Sequence, residues 1–222
     1  MNKTVGQILD RLIDEPFFYD FKIRKSDECL INKSKNGFKK ISLEDHYQSI
    51  DLNNKRLGLQ VRPYVEIRYD ILSKWFEKYS FIDLKTQRSN GQIFEHIGGF
   101  GKVEFLFYNE GDCFEEHYNK IRDYIVSESA LFFEKYSTME KLYINKIIPL
   151  MTGEKQFWNN GGDWMFEYLK LVWIVDKPNY PKFKEKIMKH INFLMFGRSS
   201  QEPNIAKYYN RLEEIFADLE RD

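Results

Sequence analysis

The chain has 222 residues, 42% hydrophobic, 17% aromatic and 31% charged, and its 34 basic and 34 acidic side chains cancel to zero net charge. That composition excludes a disordered or fibrous chain, and this length buries about 70% of its extended surface, enough for a sizeable core without staples. Zero net charge argues against the whole-molecule field that steers proteins onto nucleic acid or anionic membrane, and two cysteines, Cys29 and Cys113, are too few for a disulfide framework.

The opening MNKTVGQILDRLIDE lacks the apolar core of a secretory signal, so a cytoplasmic protein is expected. The most apolar later stretch, 169–175, is far shorter than a membrane span. Val5, Ile8, Leu9, Leu12 and Ile13 recur at helical spacing behind Thr4, which predicts a helix over 5–14 that Pro16 ends. Short segments of mixed polarity follow at 19–25, 28–34 and 38–43. Asn36-Gly37 between the last two carries the signal of a two-residue type I′ turn, which centres a β-hairpin there. A further strand over 47–52 and a turn at Asn53-Asn54 lead into 56–70, RLGLQVRPYVEIRYD, the longest run with a period of two.

In that run Leu57, Leu59, Val61, Val65, Ile67 and Tyr69 share one face, and Gly58, Gln60, Arg62, Tyr64, Glu66, Arg68 and Asp70 the other. The alternation is that of an antiparallel strand with one face packed and one in water. Pro63 cannot donate to a ladder, so it places this point at an edge or a bulge, or divides the run. Ile71, Leu72, Trp75, Phe76 and Tyr79 then form a helical stripe, and Ser89-Asn90-Gly91 opens a second β region. Its strands, 93–97 and 103–108, are joined through Gly98-Gly99-Phe100-Gly101 as a hairpin loop, and they extend the first sheet.

Beyond 112 the pattern is helical. Phe114, Tyr118, Ile121, Ile125, Leu131, Phe132 and Tyr136 keep the period of one helix, and Ser137-Thr138-Met139-Glu140 offers a capping box for another over 138–148. Pro149 and the polar run 152–163 read as a loop, Asp163 as the cap of a helix to Val175, and Asn179 and Pro181 as the start of one to Phe196. A last helix over 204–219 carries Ile205, Tyr208, Tyr209, Leu212, Ile215 and Phe216 on its stripe. The expected class is α+β: a lead helix and an N-terminal antiparallel meander packed against a C-terminal helical bundle. One compact unit over 1–222 is expected, sheet-rich through 110 and helical from 111.

Few residues offer chemistry. Gly98-Gly99-Phe100-Gly101-Lys102 is not a phosphate-binding P-loop, because His96 and Val103 stand where glycine and a hydroxyl residue are required. Cys113 and His117 lie four apart on one helical face, but no third ligand has metal spacing, so neither a metal nor a cofactor is expected. Glu95, His96, Cys113 and His117 form the polar set that an enzyme with a cleft between sheet and helices would use. Lys33, Lys35, Phe38, Lys39 and Lys40 form a basic hairpin suited either to edge protection or to weak single-stranded nucleic-acid binding. Phe157, Trp158, Asn159, Asn160 and Trp164 place two tryptophans and two amides in one glycine-rich loop, a composition common on recognition surfaces.

Gly37-Phe38-Lys39-Lys40 after a lead helix, followed by Leu57-Gly58-Leu59-Gln60, resembles an uncharacterised family of small bacterial α+β proteins, a domain of unknown function, over about the first hundred residues. The resemblance implies a bacterial cytoplasmic protein and brings no catalytic residues. With no assembled catalytic constellation, the leading expectation is a non-enzymatic protein-binding protein, such as the immunity protein of a toxin pair. The enzyme and the nucleic-acid binder follow in that order, and no membrane partner is expected.

Overall fold

In the computed structural model the lead helix α1 (Lys3–Leu12) buries Val5, Ile8, Leu9 and Leu12. The structure describes residues 3–51, 56–97, 105–108, 114–157, 162–196 and 203–221. Strands β1 (Lys22–Arg24), β2 (Cys29–Ser34), β3 (Gly37–Asp51), β4 (Arg56–Tyr69) and β5 (Ile93–His96) pair in chain order, all antiparallel, and β6 (Phe105–Tyr108) also pairs with β4. This is the expected meander, followed by a helical region, and the class is α+β.

Three features of the sheet differ from the sequence reading. The segments 38–43 and 47–52 are not separate strands: β3 runs unbroken against β4, from Gly37↔Tyr69 to Ser49↔Leu57 and on to Asp51↔Arg56. The hairpin is where it was expected, but Ser34 pairs with Gly37, so the turn residues are Lys35 and Asn36, and neither has positive φ. Gly37 has it instead, at φ 145, and a Cβ there would stand 1.8 Å from the Arg68 carbonyl oxygen.

Pro63 lies neither at an edge nor at a break. On one side β4 faces β3 throughout. On the other, β5 ends at Tyr64↔His96 and β6 starts at Val61↔Phe105, and both run in the same direction along β4. Pro63 falls in the gap, its carbonyl accepting from Ile97 N at 3.0 Å while the N–H it lacks faces the interruption. The strands β5 and β6 are thus two stretches of one interrupted neighbour of β4 and do not pair as a hairpin. The glycine-rich loop 98–101 and the Asn53-Asn54 turn lie outside the described residues.

The chain forms two compact units, residues 1–69 with 93–134, and residues 70–92 with 135–222. The change of grammar near 110 is not their boundary, because α4 (Phe114–Lys135) belongs almost wholly to the sheet unit. There Lys39 Nζ lies 5.3 Å from the Phe133 ring, which stacks in turn with Phe17, while Arg11 binds Glu115 at 2.7 Å and lies 3.9 Å over Tyr118. The sheet face bearing Ile41, Leu43, Val61, Val65 and Ile67 is thus apolar and buried.

The opposite face is polar, and part of it is shut from water: Gln60 is 1% exposed, Ser42 3%, and Glu66 and Arg68 5%, whereas Glu44 and His46 on the same face are exposed. Glu66 forms an ion pair with Lys40, its direct cross-strand neighbour. Burial pulls the Lys40 ammonium below its ordinary range, opposed by Cys29 and Asp27, and pushes the Cys29 thiol up.

The second unit opens with α2 (Asp70–Ser73), whose turns continue to Ser80 and bury Leu72, Phe76 and Tyr79. Asp83 caps the short α3 (Leu84–Ser89) by accepting from Thr86 N. The run from α5 (Met139–Leu142) to α6 (Ile148–Thr152) starts at Thr138, which accepts from Lys141 N, so the cap is Thr138 rather than Ser137. Pro149 does not end it: a π-helical segment, Tyr143–Ile147, precedes the proline, and the run continues to Gly153 in the left-handed region. The remaining helices are α7 (Trp164–Val175), α8 (Tyr180–Phe196), α9 (Pro203–Tyr209) and α10 (Leu212–Leu219). The expected last helix over 204–219 is therefore two, parted at Asn210 and Arg211. Every residue from Met165 to Val172 is buried, which makes α7 the axis of this unit.

Candidate functional site

The aromatic loop leads from α6 into α7. Phe157 is half-buried, its ring 6.0 Å from Trp164, 6.1 Å from Phe183 and 5.0 Å from His190, and Trp164 meets Tyr168 edge-on at 5.5 Å. These rings pack together but do not fill the space. A pocket of about 70 Å³ remains, walled by Phe157, Trp164, Tyr168 and Leu150, with Lys146, Lys155 and Gln156 completing it. Trp158, Asn159 and Asn160 lie outside the described residues.

The loop is held by a polar bolt at a residue whose sequence position suggests only a cap. Asp163 stands before α7, but its side chain accepts no helix N–H. It takes Ser80 Oγ at 2.5 Å and the Tyr208 hydroxyl instead, joining the loop to the segment after α2 and to α9. Desolvation raises the Asp163 carboxyl above its usual range, with both hydrogen bonds opposing, and the phenol of Tyr208 is raised by burial and by the adjacent carboxylate.

A carboxyl whose pKa is raised by folding binds its proton more tightly in the native state. Its contribution to stability is complete below the unfolded value and is lost as pH rises through the folded one. Thermal melts from pH 3.5 to 7 should therefore show wild-type stability falling relative to Asp163→Asn as pH rises. A gap between the two that stays constant with pH would refute the assignment.

A second buried polar group had no sequence signal. Ser73 Oγ donates to Glu167 Oε1 at 2.5 Å, and Gln92 Nε2 donates to Ser73 Oγ, all three residues being buried. Its members come from α2, the segment before β5, and α7. Only the fold brings them together.

The other candidate sets are dispersed. Glu95 and His96 are successive residues of β5, so they face opposite sides of the sheet, with His96 beside Tyr64 at 5.9 Å. His117 is on α4, and Cys113 lies outside the described residues. The basic hairpin is likewise divided: Lys33, Phe38 and Lys40 share the polar face, whereas Lys39 is on the other with Phe133. Phe38 is 7% exposed and Lys40 is paired with Glu66, which removes the stacking ring and a cation that nucleic acid would need. Nor do Lys39 and Lys40 protect an edge, since β3 is an interior strand.

Among the described residues no three His, Cys, Asp or Glu side chains are grouped to hold a metal ion, and no helix is long and apolar enough to cross a membrane. No family model, curated protein or solved structure matches the chain.

Proposed function

We propose that this protein is a non-enzymatic, cytoplasmic binding protein that recognises a protein partner through the pocket beside Phe157 and Trp164. The observation that carries this reading is the lining itself. Aromatic walls and two lysines surround it, and no carboxylate or thiol is among its described lining residues. At about 70 Å³ it is far below the volume of a typical small-molecule site and suits the tip of one apolar side chain. Such an anchor in a dry pocket, with charge at the rim, is the usual form of an interface hot spot. The lysines select acidic neighbours around that anchor. An immunity-type role fits this reading when the toxin presents an acidic surface.

The test uses the folded protein as bait. A partner retained by wild type should bind at least tenfold more weakly to Lys155→Glu, which alters an exposed residue, and to Phe157→Ser with its helical content intact. Its affinity should also fall as salt rises. Retention of the same partner by both variants would remove the pocket from the interface.

A further inference from the structure

A second concavity in the helical unit is built on another principle. It lies between the α2 segment and the end of α7, and at about 600 Å³ it is within the range of small-molecule sites. Trp75 and Trp173 supply its flat apolar walls, and Ile71 and Ile174 stand at its margin, 53% and 37% exposed. Lys74, Lys170 and Lys177 supply positive charge. The acid in the lining, Asp70, is engaged by Lys74 at 2.9 Å, so the groove keeps a positive balance.

The cations are set against the rings. Lys177 Nζ lies 3.7 Å from the centre of the Trp173 ring, and Lys170 Nζ 5.7 Å from that of Trp75. Lys170 is 6% exposed. The indole Nε1 of Trp75 is buried, without a hydrogen-bond acceptor among the described residues, so this ring offers the groove its apolar surface. Flat walls favour a planar body, and the lysines favour an anionic oxygen at its end.

From this juxtaposition we infer that the groove between Trp75 and Trp173 binds a small organic anion with an aromatic body, a carboxylate or a phosphate ester. The volume is that of a small organic molecule, and three lysines against one acid in the lining disfavour a cation. The site shares no lining residue with the Phe157 pocket.

Calorimetric titration of the intact protein with 1-naphthoate and with adenosine monophosphate tests the assignment and separates its two sources. One of them should bind, and 1-naphthalenemethanol, which keeps the ring and lacks the charge, should bind at least tenfold more weakly than 1-naphthoate if the carboxylate is the ligand class. If adenosine monophosphate binds instead, adenosine should be at least tenfold weaker. Lys177→Glu and Ile71→Asp change exposed residues, and each should weaken the bound anion at least tenfold, whereas Lys155→Glu should leave it unchanged. Binding of neither anion, equal binding of the neutral analogue, or indifference to both groove variants overturns the proposal.

Discussion

Replacing Glu66 with alanine should cost about 3 to 5 kcal/mol of stability, because it removes the paired carboxylate from a Lys40 ammonium that is largely withdrawn from water. The Lys40 side chain is 11% exposed and that of Glu66 7%, and Arg68 stands two residues further along the same buried face. Attraction between buried charges does little more than offset their desolvation, so the pair is weak evidence of net stabilisation. Removing one partner is a different matter, since the whole desolvation cost of the other then remains. The distinguishing experiment is the double variant. Lys40→Met with Glu66→Leu should recover most of the loss in denaturant melts, and a double variant as unstable as Glu66→Ala would show that packing rather than charge sets the cost.

Gly37→Ala should be the most damaging single methyl group added to the sheet, at about 2 to 4 kcal/mol. Two costs combine there. The backbone is at φ 145, a region L-residues rarely adopt, and the new Cβ would stand 1.8 Å from Arg68 O and 2.7 Å from its carbonyl carbon. Neither atom belongs to a flexible side chain, so β3 and β4 must part where the hairpin begins. Gly153 provides the comparison: its φ is 85, but a Cβ there meets nothing within 4 Å. Gly153→Ala should cost only the left-handed strain, about 1 kcal/mol. Equal losses for the two would mean that the contact with Arg68 relaxes without cost.

How far the sequence revealed this molecule depends on how local each signal is. The alternation in 56–69 and the helical stripe of 114–136 were legible because period is a property of neighbours in the chain. The place of Pro63 was not, since its tolerance depends on where β5 stops and β6 starts, and that is decided across the sheet. Nor was the burial of Gln60, Glu66 and Arg68 legible, because polar residues on alternate positions read as a solvated face until Lys40 is found beside them. The aromatic loop was visible as composition, whereas its bolt needed Ser80 and Tyr208 to reach Asp163. The groove was invisible in principle: its halves, Asp70 to Trp75 and Lys170 to Lys177, are about a hundred residues apart and share no motif.

The interleaving of the two units has a consequence for how the chain leaves the ribosome. Strand β4 emerges with β3 already beside it, but Asp70–Gln92, which belongs to the other unit, must be made before β5, β6 and α4 exist. Until then a long central strand carries an open edge, the condition under which nascent sheets associate wrongly. Vectorial synthesis therefore leaves the sheet exposed for an interval that a shorter insertion would reduce. The same ordering means that neither unit can be excised by one cut: release of the sheet unit requires joining Tyr69 to Ile93 and ending near Glu134.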